Sequence, residues 1–403
     1  MKRIASLIFV IALVFCGCGN NAEIKDNATE SSQNELFKKD SNFEYDGNNN
    51  IVLYKEADYF GFCDYYERLA FSIDGQYAGL KEQYFHKGQQ VRDEISSYHT
   101  AKDNPDYMVK DYEDGIAIVN YLGDDKDVVL PDEIEGKPVV ALCGYIEIAG
   151  EESDLYFYHY PFTDNDTASV TLPKSLKYIE KGSLYTDIDM HDNSLESTME
   201  EIKVDNKNPY YSAEDGLLYN KGKTALLYVP DNFKKSTVSV PDGVTAVYSA
   251  YSQNTETVSL SKTVEKIELI SPFDFFKSSK SDWSDIGYHA DYRLKAIEVD
   301  EKNKLFSSEN GALYNKDKTE LVAIPHAMRV KSFVVHDSVQ TVDEISASSF
   351  RYINKLVFGK NIKEIKMDYD RGADNSLKTI AGYKGSAAEE FAKKNKFKFV
   401  ALD

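Results

Sequence analysis

Cysteine is scarce in this sequence and badly placed for crosslinking or metal binding. Four stand in 403 residues: Cys16 and Cys18 at the end of an apolar leader, Cys63 and Cys143 far apart in the body. That spacing excludes a disulfide framework and a paired-cysteine metal site. One bridge or two separately buried thiols both remain open. Positive charge is also short, with 47 Lys and Arg against 67 Asp and Glu and a net charge of −20. Long-range repulsion of this size argues against nucleic acid or an anionic membrane surface as a partner, and the ordinary use of such an excess is solubility. Long apolar runs are missing except for Ile4 to Phe15, which falls short of the roughly 20 residues of a spanning helix.

Catalytic motifs are absent too. There is no HExxH, no P-loop, no dinucleotide glycine fingerprint and no nucleophile elbow. His159, His191, His289, His326 and His336 are scattered without pair spacing, and lone histidines of this kind are surface or satisfied core residues. DIDMHDN (187 to 193) and GDDKD (123 to 127) gather oxygens as a hard cation requires, but lack the EF-hand spacing and read as solvated loops. The expectation is a chain with no enzyme activity, no cofactor and no metal site. An enzyme of the cell envelope acting on glycans is the alternative; sequence cannot nominate its two close carboxylates.

What is present begins with an address. Lys2 and Arg3 precede the apolar run as in a signal segment, and the run ends in FCGC, which resembles a bacterial lipobox. Gly17 is small enough to precede a cleavage site, whereas cleavage before Cys16 would put bulky Phe15 there. Cys18 is therefore the expected lipidation site, with residues 1–17 as the signal peptide and a plain secretory signal as the alternative. Two or more acyl chains anchor a protein stably, so a lipidated Cys18 implies residence outside the cell, held to its membrane through lipid alone. Residues 18–50 have too few apolar side chains to repay the entropy of folding and read as a tether. Aromatics crowd residues 51–111, and an amphipathic stretch from Leu80 to Tyr98 suggests a helix within a small mixed N-terminal domain or cap.

From 112 to 403 one apolar grammar takes over. Positions at offsets 0, 2, 6 and 9 recur as Val170, Leu172, Leu176, Ile179; Val238, Val240, Val244, Val247; Val258, Leu260, Val264, Ile267; Phe333, Val335, Val339, Val342; and Leu356, Phe358, Ile362, Ile365. The first pair alternates as a short one-sided strand must, a proline or polar turn follows, and the second pair closes the other side of a coil. A single such coil cannot bury its apolar row, so the coils must stack. A longer block is also duplicated: EIKVDNKNPYYSAEDGLLYNKGKTALLYVP (201 to 230) returns as AIEVDEKNKLFSSENGALYNKDKTELVAIP (296 to 325). GLLY-NKGK-TALLY and GALY-NKDK-TELVA read as β-hairpins around four-residue turns. At the C-terminus, Ser386 with Glu389 reads as a capping box, Ala387 to Lys394 as a helix, Asn395 as its left-handed end, and Phe397 to Leu402 as a sealing strand.

VTLPKSLKYIEKGSL (170 to 184), VSVPDGVTAV (238 to 247) and the DG-LLYNK-KT blocks resemble the BspA-type leucine-rich repeat family of bacterial surface proteins, over roughly residues 112 to 402. The resemblance implies a non-catalytic binding or adhesion protein that recognises extracellular protein or glycan. The expected fold is mainly β: a leucine-rich-repeat-like β solenoid with β-hairpin excursions, a small mixed N-terminal cap and a C-terminal capping helix plus strand. A monomer is expected. Two insertions interrupt the grammar after Leu142 and Ile267, at the same point of the coil. Insertions at equivalent points emerge on one side, often the binding side. Their aromatics, Tyr156, Tyr158, Tyr160, Phe275, Phe276, Trp283, Tyr288 and Tyr292, are the candidate ligand contacts. The alternative is that they fold inward over widened turns.

Overall fold

The computed structural model describes residues 98–112, 115–144, 160–162, 165–179, 183–184, 198–250, 252–267, 293–325, 327–342, 350–367 and 376–402 in full, and the backbone of seven further strands. Three of those seven, Tyr65–Ile73, Gln76–His86 and Gln89–Ser96, form an antiparallel meander. Strands therefore stand where the amphipathic period of Leu80 to Tyr98 suggests a helix. The physical reason lies in the pairs Asp74-Gly75 and Lys87-Gly88, which separate the strands in sequence; registers close at Ile73↔Gln76 and His86↔Gln89, two residues apart. A two-residue, glycine-containing gap is a strong hairpin signal and outranks a weak helical period.

The coils that begin at Ser169, Thr237, Thr257, Ser332 and Lys355 each contribute a strand of three or four residues to one side and a two-residue strand to the other. On the first side lie three parallel stacks. The first holds Asp127–Val129, Ser169–Leu172 and Glu201–Val204; the middle one Thr237–Val240, Thr257–Leu260 and Ala296–Val299. The last holds Ser332–Val334, Lys355–Val357, Thr379–Gly382 and Lys398–Ala401. The ladders put equal grammar positions side by side, Val128 with Val170 and Ile202, Val238 with Val258 and Ile297, Phe333 with Leu356 and Ile380. Eighteen of the twenty positions at offsets 0, 2, 6 and 9 are buried, and Ile267 and Ile365 are partly so. Each buried aliphatic of this size stabilises the fold by about 1.5–3 kcal/mol.

The offset-9 residues sit on the opposite ladders, in two-residue strands such as Tyr178–Ile179, Ala246–Val247 and Thr341–Val342. The series starts on a hairpin, Tyr107–Tyr112 with Gly115–Tyr121, whose second strand accepts Lys137–Leu142 in parallel. Gly115 is required there, since a Cβ would lie 2.3 Å from the Pro138 carbonyl oxygen.

The duplicated block is a three-stranded meander, one strand more than the sequence suggests. Tyr211–Glu214, Leu217–Asn220 and Ala225–Tyr228 recur as Phe306–Glu309, Ala312–Asn315 and Glu320–Ala323. Asp215-Gly216 (φ 56° and 83°) and Asn310-Gly311 (φ 51° and 80°) join the first two strands, the doubly left-handed conformation that Asp-Gly and Asn-Gly pairs supply. Alternate residues of the first copy face different cores. Leu218, Ala225 and Leu227 pack with Val170 and Ile202, whereas Leu217, Tyr219 and Leu226 pack with Val238 and Val258. In the second copy Leu313 joins that middle core, while Ala312, Tyr314 and Leu321 join the next, with Phe333 and Leu356. Each block is thus a partition wall with both faces in apolar surroundings, which explains its near-continuous apolar runs.

At the C-terminal end the helix Ala387–Lys394 and the strand Lys398–Ala401 stand where expected, but their junctions differ. The Ser386 hydroxyl donates to the Tyr383 carbonyl at 2.6 Å and makes no side-chain cap bond, while Glu389 accepts from the Gly385 N–H at 2.7 Å, one residue further back than a capping box requires. The left-handed residue is Lys396 (φ 56°), not Asn395 (φ −97°). Lys396 N–H bonds the Lys393 carbonyl and Phe397 N–H the Ala392 carbonyl, the paired closing bonds of a Schellman motif with lysine in the glycine position.

Candidate functional site

The first insertion contains a two-stranded antiparallel hairpin, Tyr145–Ile148 with Tyr156–His159, which carries Tyr156 and Tyr158 in its second strand. Tyr160 is 2% exposed and Phe162 fully buried, the latter with its ring centroid 6.5 Å from that of Tyr121. Tyr160 therefore stands in the interior, the inward alternative, because the return leg of this insertion rejoins the core here. Phe275, Phe276, Trp283, Tyr288 and Tyr292, like Cys18, lie outside the described residues, as does DIDMHDN. Cys143 is buried, and Cys63 is outside the described set.

Among the described residues no group of three or more His, Cys, Asp and Glu stands close enough to hold a metal ion. In GDDKD the Asp125 N–H donates to the Tyr121 hydroxyl at 3.2 Å, and burial pushes the Tyr121 phenol upward. The polar residues of the duplicated block are spoken for in the same way. Asn208 is fully buried, donates to the carbonyls of Pro173 and Leu176, and accepts from the N–H groups of Tyr210 and Tyr211. Asn303 repeats this with Ser261, Val264, Leu305 and Phe306. Each asparagine staples its block to the turn of the coil before it.

One constellation has the composition of a hydrolytic site. His336 Nδ1 lies 2.8 Å from Ser338 Oγ and Nε2 lies 3.8 Å from Glu309, which also pairs with Lys318. Its geometry is that of a staple: the Ser338 hydroxyl donates its proton to the Lys318 carbonyl at 2.8 Å, and Ser338 N–H points at His336 Nδ1. Tyr314 sits edge-on to the imidazole, buried, with its phenol pushed up to about 12 mainly by desolvation.

The remaining candidate is the outward face of the three stacks, at the positions flanking the offset-0 residue. Before it stand Asp127, Ser169 and Glu201, then Thr237, Thr257 and Ala296, then Ser332, Lys355, Thr379 and Lys398; of these Ser169 is buried, donating to Asp127 and accepting from Lys203. After it stand Val129, Thr171 and Lys203, then Ser239, Ser259 and Glu298, then Val334, Val357, Ala381 and Val400, of which Ala381 is fully buried. Val129 and Val334 are 70% and 58% exposed. The alternation needed to find these rows is present in the sequence; the signal is the residue on either side of each offset-0 apolar.

The ladders define a mainly β repeat solenoid of the leucine-rich-repeat-like kind. No family model matches the sequence, and no curated protein matches it. Among solved structures the chain is similar to a leucine-rich repeat protein from Eubacterium ventriosum (15% identity, 72% of this chain and 73% of that one, TM-score 0.30). It is also similar to the pneumococcal vaccine antigen PcpA (12%, 76% and 99%, TM-score 0.31). A leucine-rich cell surface protein from Faecalibacterium prausnitzii is a third (11%, 71% and 82%, TM-score 0.27).

Proposed function

We propose that this chain is a BspA-type cell-surface lipoprotein whose repeat domain binds extracellular protein or glycan without catalysing a reaction. The observation that carries the reading is the stacked outward face, ten parallel strands in three stacks, on which side chains of different charge and polarity occupy repeating positions. A regular array of this kind offers extended contact area without a cleft, which suits recognition. No helix of the described residues is long and apolar enough to cross a membrane. Attachment is assigned to lipid on Cys18, with no nucleic-acid partner and a monomeric chain.

Panning the lipid-free domain against arrays of extracellular proteins and glycans tests the reading, with specific, saturable capture as the expected result. Capture of nothing on either array would sink it. Replacing Phe276 and Trp283 with Ala should lower capture with little change in the unfolding midpoint if the second insertion takes part; a large fall in the midpoint would assign those rings to the core. Cys18→Ala should move the full chain from the membrane fraction to the soluble one.

A further inference from the structure

The geometry points to the outward face of the last stack, Ser332–Val334 through Lys398–Ala401, as a docking surface for an acidic polypeptide that also carries apolar side chains. This rests on the binding reading above and narrows it to one face and one partner chemistry.

Charge is the first observation. Residues 351–403 carry twelve Lys and Arg against seven Asp and Glu, a net of +5 on a chain whose total is −20. Upstream lysines are commonly compensated, as in Lys174–Asp132, Lys234–Glu200, Lys262–Asp242 and Lys295–Glu256. Of the ten lysines between 355 and 398, only Lys366 and Lys393 pair with a carboxylate among the described residues. Lys355 and Lys398 occupy the same outward row with Thr379 between them, so their backbone positions lie about 10 Å apart at two strand spacings.

The second observation is the neighbouring row. Val334, exposed, and Val357 and Val400, partly so, stand in the row beside the lysines, with the fully buried Ala381 between the last two. The corresponding row of the middle stack is Ser239, Ser259 and Glu298, and that of the first is Val129, Thr171 and Lys203. Only the last stack sets a cationic row against an apolar one.

Protection of an open sheet edge accounts for a lysine on Lys398–Ala401, the final strand of its sheet. It does not account for Lys355, two strands inside, nor for valines facing outward. A simple polyanion would use the lysines and leave the valine row uncovered. An extended polypeptide presents alternate side chains to one surface at about 3.3 Å per residue, so carboxylates and aliphatic groups can engage both rows.

The test uses the full chain and an alternating Glu-Val peptide of about twelve residues, with polyglutamate and polyphosphate as comparison probes, read by fluorescence anisotropy at low and high salt. The expected result is salt-sensitive binding of the Glu-Val peptide, weakened about tenfold or more by Lys355→Glu with Lys398→Glu, and weakened also by Val334→Ser with Val400→Ser. Lys203→Glu on the first stack, with Lys295→Glu just before the middle one, should leave it unchanged. No binding by the parent, equal binding by a correctly folded Lys355→Glu, Lys398→Glu variant, or tighter binding of polyphosphate than of peptide overturns the proposal. If the parent captures array ligands and this double variant captures them equally well, the docking face is wrong and the broader binding reading stands. If the parent captures none, the broader reading fails whatever the peptide does.

Discussion

The two copies of the duplicated block keep the same backbone devices and differ in how deeply their side chains are packed. Asn208 and Asn303 make the same four hydrogen bonds; Asp205 and Asp300 each accept from the N–H two residues on at 2.7 Å; Asn220 and Asn315 each hold the next turn through Thr224 and Thr319. Yet all four residues of Ala225–Tyr228 are buried, whereas in Glu320–Ala323 only Leu321 is. Tyr228 reaches the Leu184 carbonyl with its hydroxyl, and Ala323, its counterpart, is too short to do so. Hydrogen bonds to the backbone have fixed geometry and tolerate no substitute, while an apolar wall needs only to match the volume against it. The copies have therefore kept their polar staples and let their apolar residues drift.

The largest expected effect tests the shared part. Asn208→Ala and Asn303→Ala each strand two carbonyls and two N–H groups in a buried turn, and at about 1 kcal/mol per unmade bond each should cost about 3–4 kcal/mol. Urea unfolding, with amide exchange at Tyr211 and Phe306 as the local readout, should give nearly equal losses. A loss at Asn303 much smaller than at Asn208 would break the equivalence. Next comes the part that differs. Leu227 is 1% exposed and its counterpart Val322 is partly buried, so Leu227→Ala should cost about 3 kcal/mol and Val322→Ala about 1 kcal/mol. Equal costs would mean that the second wall is as tightly packed as the first.

The coil, the duplication and the closing helix were legible in the sequence because each follows from a local rule. An apolar row with period 2 must face a core, and Val170, Val238 and Phe333 do. What was not legible depended on partners distant in sequence. The strand Tyr211–Glu214 has a weak apolar pattern and exists because Asp215-Gly216 folds it back on Leu217–Asn220. The Ser386 hydroxyl turned to Tyr383 instead of capping the helix, a choice between two nearby acceptors that residue type does not decide. Tyr160 lay in a stretch rich in tyrosine, where exposure and burial have the same composition; its 2% exposure follows from the return leg that also buries Phe162. The lysine row was hidden because it forms only when Lys355 and Lys398 are brought into one ladder across Thr379.

The smallest expected effect concerns a group that distinguishes the second copy. Glu309 pairs with Lys318 in the way that Glu214 pairs with Lys223. The second copy also has His336 within 3.8 Å of Glu309, where the first copy has Pro241 at the corresponding position. The Lys318 hydrogen bond, aided by the charges of Lys318 and His336, holds the Glu309 carboxyl below its usual value against a smaller opposing desolvation. A carboxylate with a depressed folded pKa contributes stability that is present above its unfolded value of about 4.3 and is lost as pH falls through the folded value. Glu309→Gln should therefore destabilise the chain by no more than a few tenths of a kcal/mol near neutral pH, because the pair is solvent-accessible. The same variant should lose less stability than the parent between about pH 5 and pH 3. Unfolding midpoints of parent and variant at both ends of that window decide the matter. Parallel pH profiles would show that Glu309 does not carry the linkage, and would leave the depth of packing as the physical difference between the copies.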